Sequence, residues 1–92
     1  TADQAAAWGM IWESVPDEAF ESTVHARASK LAHGPTKAYE YIKRALRASF
    51  DNTLDEQLEM EAKLQGKAGK TRDFTEGVMA FMEKRPAKYE GR

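Results

Sequence analysis

The sequence has 92 residues, the length of one small domain, and a domain of this size buries only a modest core. Charged residues make up 32% and the net charge is -1, a balance that argues against a nucleic-acid-binding protein, which usually has a basic excess. There is no cysteine, which excludes disulfides and thiolate metal sites, and no apolar run approaches the roughly 20 residues that span a bilayer.

Residues 1–15 predict a short helix followed by an arm. The alanine-rich stretch from Ala2 to Trp8 favours helix, and Gly9 stops it. The segment Met10–Val15 predicts a short strand or an extended arm. No secretory signal is visible, and a cytoplasmic location is expected. Because Thr1 is not methionine, we expect the chain to be a processed or trimmed piece of a longer protein.

Proline and glycine divide residues 16–92 into four predicted helices, which makes the expected fold all-α. The first begins at Pro16 and ends at Gly34, with an apolar stripe at helical spacing. The second begins at Pro35, and its stripe is expected to be buried. The two stripes comprise Phe20, Val24, Ala28 and Leu31 on the first helix, and Tyr39, Ile42, Leu46 and Phe50 on the second.

Capping signals bound the last two predicted helices. Thr53 with Glu56 three residues later is typical of a capping box, so the third helix starts there. It is expected to weaken into a flexible connector over Gly66–Thr71. The closing helix is predicted over Asp73–Arg85, with Pro86 as its stop.

The sequence contains no recognisable catalytic triad or metal-binding motif. Neither histidine lies in a motif that would activate a serine nucleophile. Glu56 and Glu59 could share a helix face, but a solvated acidic face with a local Glu59–Lys63 ion pair is the preferred interpretation. We therefore assign no catalytic residue and no metal ligand.

Two basic groups remain. Lys43 and Arg47 are four residues apart and share a face, which we interpret as the solvated flank of an amphipathic helix. Phe81 and Lys84 are three apart and are neighbours on the closing helix. An aromatic ring beside an ammonium group suits a nucleotide, because the ring lies against a base while the cation meets a phosphate. The alternative is that Phe81 is core and Lys84 is a helix-end charge.

The order of these segments resembles the C-terminal third of the crotonase superfamily, the enoyl-CoA hydratase/isomerase proteins. The resemblance covers essentially the whole chain and is most specific in "DFTEGVMAFMEKRP", where the proline stands one place earlier than in the family. The segment "WGMIW" further resembles the phenylacetate-degradation branch, whose members isomerise a ring-epoxide acyl-CoA. The motif residues are Asp73, Phe74, Glu76, Gly77, Ala80, Phe81, Glu83, Lys84, Arg85 and Pro86.

The resemblance implies an all-α, trimerisation-type C-terminal domain of about four helices with a short N-terminal arm, residues 1–15 being the end of a missing spiral core. It implies that Phe81 and Lys84 approach the nucleotide of coenzyme A, commonly in a neighbouring subunit. The oxyanion-holding N–H groups and the proton-moving acids would lie upstream of Thr1. The parent is then expected to be a trimeric or hexameric enzyme acting on acyl-CoA thioesters. The 92-residue chain alone is expected to be inactive, to self-associate, and to hold no tightly bound cofactor.

Two other hypotheses stay open at this point. A stand-alone acyl-CoA-binding module of four helices fits the helix number, but the Tyr/Lys ligand pattern of that family is absent and "MIWESV" has no place in it. A helical interaction domain without a ligand fits the composition, but leaves the order of motifs unexplained. In none of the three hypotheses does the chain bind nucleic acid or a membrane.

Overall fold

The computed structural model describes residues 1–92, and all of their regular structure is helical, which confirms the predicted all-α class. A six-residue helix, α1, confirms the short helix predicted from Ala2, and the four predicted long helices follow it. The chain divides into two compact units, residues 1–30 and 31–92. The predicted boundary after residue 15 stays a prediction. The helices are α1 (Ala2–Ala7), α2 (Asp17–Ala32), α3 (Thr36–Ala48), α4 (Leu54–Ala68) and α5 (Arg72–Met82).

In the first unit, α2 holds the arm through one arginine. The Arg27 guanidinium donates to both carboxylate oxygens of Glu13, at 3.0 and 3.1 Å. The same guanidinium lies 5.8 Å from the centre of the Trp12 ring, within the range of a cation–π contact. The segment Met10–Val15 forms no strand, so of the two predicted alternatives it is an irregular arm.

The glycine at the turn that enters α3 lies against an aromatic ring. Gly34 is buried, and a Cβ built there would lie 2.1 Å from the Tyr39 hydroxyl oxygen and 2.8 Å from ring carbons. The Tyr39 ring therefore fills the space that any other residue at position 34 would need.

The predicted capping box at the start of α4 is confirmed. The Thr53 hydroxyl accepts from the Glu56 N–H, and the Thr53 N–H donates to the Glu56 carboxylate at 2.8 Å. The bonds that the Glu56 carboxylate accepts from the Thr53 N–H and then from the Thr53 hydroxyl hold the pKa of Glu56 below its usual value. The predicted connector begins too early, because α4 continues through Gly66 to Ala68. A single glycine costs about 1 kcal/mol relative to alanine, which a 15-residue helix can absorb.

Helices α3 and α4 pack against each other, but the expected burial of the α3 stripe is wrong for this chain. Ile42 is 54% exposed, Leu46 is 60% exposed, and Phe50 lies beyond the helix end at 89%. Leu64 of α4 and Ala80 of α5 are the buried apolar side chains. An apolar stripe at helical spacing shows which face of a helix is apolar, but the surface that covers that face need not belong to the same chain.

The closing segment folds back along α5 and is held by one buried carboxylate. Asp73, only 3% exposed, accepts hydrogen bonds from the Glu90 N–H at 2.7 Å and the Gly91 N–H at 2.9 Å. Its own N–H donates to the Arg92 carbonyl oxygen at 3.1 Å. We call residues 86–92 the tail. The start of α5 and the end of the tail are thus joined by three hydrogen bonds.

A second carboxylate one turn later holds the beginning of the tail. Glu76 accepts two hydrogen bonds from the Arg85 guanidinium, at 2.6 and 3.0 Å, and one from the Lys88 N–H at 2.8 Å. These bonds lower the pKa of Glu76 to about 2, mainly through Arg85 and then through the Lys88 N–H. The hydrogen bonds that Arg85 donates to Glu76 and then to Glu83 raise the pKa of Arg85.

We expect Asp73→Ala to release the end of the tail. The Glu90 and Gly91 N–H groups lose their acceptor, and leaving such groups unsatisfied costs about 1–3 kcal/mol. Hydrogen exchange of these two amides should become faster. Asp55→Ala is the matched control, because Asp55 is an exposed first-turn carboxylate of α4. Unchanged protection in the Asp73 variant would contradict this role.

The Glu76 contacts should also make the tail sensitive to acid. The folded-state pKa of about 2 lies below the ordinary value of 4.5. The stabilisation is therefore fully present above the ordinary value and is lost as the pH falls through the folded-state pKa. Exchange of the Lys88 amide, corrected for its intrinsic rate, should accelerate over that interval. Glu76→Gln should abolish most of this pH dependence, and its persistence would argue against Glu76 as the cause.

Candidate functional site

The C-terminal end of α5 has an unusual residue in a common helix-ending motif. The Arg85 N–H donates to the Ala80 carbonyl at 3.0 Å, and the Lys84 N–H donates to the Phe81 carbonyl at 3.3 Å. These two bonds form a Schellman motif, whose left-handed position is usually glycine. Here it is Lys84, with φ of 53°, the only non-glycine residue with positive φ. This conformation also explains why α5 ends at Met82, three residues before the predicted end.

Phe81 lies in the last turn of α5 and is 86% exposed, so in this chain it is not a core residue. Lys84 has no ion-pair partner, because the neighbouring Glu83 and Glu76 carboxylates both bind Arg85. The end of α5 thus presents an exposed ring and an uncompensated ammonium group, joined by a backbone hydrogen bond. Such a pair has the chemistry to meet a base and a phosphate.

An apolar groove of about 400 Å³ lies beside Phe81. Phe74, Val78 and Phe81 of α5 line it, and the Tyr89 ring of the tail joins them. Gly77 faces that ring, and a Cβ at this position would be in ordinary van der Waals contact with the Tyr89 hydroxyl oxygen, at 3.4 Å. The remaining lining residues are Pro35, Ala38, Ala68, Thr71 and Asp73.

Tyr89 was not predicted as a site residue from the sequence, because it follows Pro86 and so lies outside the predicted helices and their apolar periodicity. Its position depends on the return of the tail along α5, which in turn depends on hydrogen bonds to Asp73 and Glu76. A pair of carboxylates three residues apart in the first turns of a helix was the available signal. Acidic residues near a helix start are ordinarily explained by their favourable interaction with the helix dipole.

The other charged candidates behave as surface groups. The predicted Glu59–Lys63 ion pair is confirmed at 2.6 Å, with both side chains exposed. On α3, Arg44 pairs with Glu40 at 3.9 Å, whereas Lys43 and Arg47 are exposed and form no ion pair. No group of three or more acidic or histidine side chains is placed to hold a metal ion. None of the five helices combines the length and apolar character that crossing a membrane requires.

Comparisons with known proteins agree on one family. The family model for enoyl-CoA hydratase/isomerase matches residues 1–92. A probable enoyl-CoA hydratase of Rhodobacter capsulatus is 50% identical over 99% of this chain. The 1,2-epoxyphenylacetyl-CoA isomerase of Escherichia coli K12 is 42% identical over the whole chain. The second relative is consistent with the resemblance to the phenylacetate-degradation branch.

Solved structures show the same relationship. A putative enoyl-CoA hydratase/isomerase of Mycobacterium abscessus superposes with a TM-score of 0.92 at 34% identity, over 99% of this chain. An enoyl-CoA hydratase structure from Geobacillus kaustophilus superposes with a TM-score of 0.86 at 28% identity, over the whole chain. In each of these four comparisons, the chain spans 35% of the relative's length. The match over every residue, in both sequence and fold, shows that this chain belongs to the enoyl-CoA hydratase/isomerase family.

Proposed function

We propose that this chain is the helical C-terminal part of an enzyme that acts on acyl-CoA thioesters, and that it supplies part of the coenzyme A site and contacts between subunits. The family match over residues 1–92 supports the activity class. The observation that carries the coenzyme A assignment is the exposed Phe81 beside the unpaired Lys84. A cytoplasmic location is part of the same proposal.

The proposed chemistry assigns binding to this chain and bond-breaking to the rest of the enzyme. The Phe81 ring lies against the adenine, and the Lys84 ammonium meets a phosphate of coenzyme A. The N–H donors that stabilise a thioester enolate, and the acids that move protons, are contributed elsewhere in the longer protein. No residue of this chain is proposed as catalytic, and the chain alone is expected to show no turnover.

The strained backbone of Lys84 supports this assignment. A left-handed conformation costs a non-glycine residue about 1–2 kcal/mol, and glycine would form the same helix end without that cost. Strain of this kind is common where a side chain has a binding role. A binding role for the ammonium group at the helix end would explain why this position holds lysine and not glycine.

We expect Phe81→Ala and Lys84→Gln each to weaken coenzyme A binding about tenfold, measured by calorimetric titration of the purified protein. Stacking of a base on an aromatic ring is worth ~1–3 kcal/mol, and ~1.4 kcal/mol corresponds to tenfold in affinity. The matched controls are Phe20→Ala and Lys43→Gln, which change an exposed ring of α2 and an unpaired cation of α3. Equal losses of coenzyme A affinity in the control variants would contradict the proposal.

Glycine at position 84 separates the ligand role from the structural role. Lys84→Gly should raise the free energy of unfolding by about 1 kcal/mol, because the left-handed strain is removed. It should nevertheless weaken coenzyme A binding as much as Lys84→Gln does. A glycine variant that is both more stable and fully competent to bind would show that the ammonium has no part in the site.

The contacts between subunits are proposed from the exposed apolar faces. Leu46 and Phe50 of the α3 face, and Phe74 and Met82 of α5, are all more than half exposed. Apolar surface of this extent is typical of an interaction site. Light scattering of the 92-residue chain should therefore give a mass above that of one copy. A mass equal to one copy at high protein concentration would contradict self-association.

A further inference from the structure

A second groove in residues 31–92 is lined by cationic side chains from several segments of the chain. It has a volume of about 380 Å³, and we call it the cationic groove. We propose that it binds a phosphate-bearing small molecule and is distinct from the Phe81–Lys84 pair, neither of which lines it. The lining residues are Lys37, Tyr41, Lys67, Lys70, Thr71, Arg72 and Arg92.

The convergence of these segments is fixed by the same contacts that anchor the tail. Hydrogen bonds between Asp73 and the tail bring Arg92 to the start of α5, next to Arg72. Gly91 has a φ of 77°, and a Cβ there would lie 2.6 Å from the Thr36 hydroxyl oxygen. The tail therefore approaches the start of α3 closely, at the residue that precedes Lys37. These backbone contacts of the tail therefore keep the basic residues of α3, α5 and the tail near one another.

The charges of the groove are poorly compensated. No aspartate or glutamate side chain lines it. Lys37 pairs with Glu40 at 3.2 Å and Arg92 with Glu90 at 2.7 Å, but Lys67, Lys70 and Arg72 have no ion-pair partner. Like charges gathered in a concave site raise its potential for anions, and an anion bound there would remove their mutual repulsion.

The donor set suits a phosphate group. A guanidinium offers two parallel N–H donors to phosphate oxygens, and ammonium groups supply further charge-assisted hydrogen bonds. The Arg72 N–H, at the first position of α5, also has no acceptor, whereas those of Asp73 and Phe74 already donate to Arg92 and Thr71. The groove volume and the net charge of -1 favour a small molecule over a nucleic acid, which needs an extended basic surface.

Calorimetric titration of the purified protein with inorganic pyrophosphate tests the site. Saturable binding of one pyrophosphate per chain is expected, with affinity falling as ionic strength rises. The double variant Lys70→Gln, Arg72→Gln should weaken this binding at least about tenfold, because two charged donors are removed. The matched control is Lys43→Gln, Arg47→Gln, which removes two unpaired cations of α3 outside the groove. Circular dichroism checks that both variants remain helical.

The absence of pyrophosphate binding by the unaltered protein, or equal losses in the two double variants, would overturn the proposal. Phe81→Ala should leave pyrophosphate binding unchanged, so failure of the coenzyme A assignment is separable from failure here. Competition identifies the natural source of the phosphate. Displacement of pyrophosphate by coenzyme A supports a site for the phosphates of that molecule, and simultaneous binding of both supports a site for a second phosphate-bearing ligand.

Discussion

The arrangement of residues 31–92 depends on one buried carboxylate. Asp73 accepts hydrogen bonds from the Glu90 and Gly91 N–H groups. These bonds hold the end of the irregular tail against the first turn of α5. A buried charge is costly unless its lone pairs are satisfied, and here two backbone donors satisfy it. Because of this contact, the tail places Tyr89 beside the Phe81 groove and Arg92 in the cationic groove. Together with the Glu76 contacts, this hydrogen-bonded carboxylate therefore shapes both candidate ligand sites.

Local signals in the sequence predicted local structure well. The Thr53–Glu56 capping box, the Glu59–Lys63 ion pair and the proline-bounded starts of α2 and α3 each involve residues within a few positions of one another. Their energetics are decided within one helical turn, so no knowledge of tertiary contacts is needed. Errors in burial and in the candidate sites occurred where a residue's behaviour depends on distant partners, whereas the errors at the ends of α4 and α5 were local. The early end of α5 follows from the left-handed Lys84, which composition alone does not indicate.

Burial and the candidate sites were predicted less completely for the same reason. The α3 stripe was identified, but its burial requires surfaces that residues 1–92 do not provide, so Leu46 and Phe50 face solvent. Phe81 and Lys84 were proposed as a candidate pair because they are three residues apart in the sequence. Tyr89 and the cationic groove were not found, because their positions depend on hydrogen bonds across 17 and 18 residues of sequence. Pairings at such separations leave no periodic signature.

The small number of buried apolar side chains has a thermodynamic consequence. Melting increases the heat capacity of a protein mainly because apolar groups become hydrated. In this chain many large apolar side chains are already hydrated before melting, and Leu64 and Ala80 are the buried ones. For an isolated copy, the heat-capacity change of unfolding should fall below the ~12–15 cal/mol/K per residue of ordinary globular domains. The free energy of unfolding of such a copy would then vary only weakly with temperature. Covering the exposed apolar faces would make this temperature dependence more strongly curved.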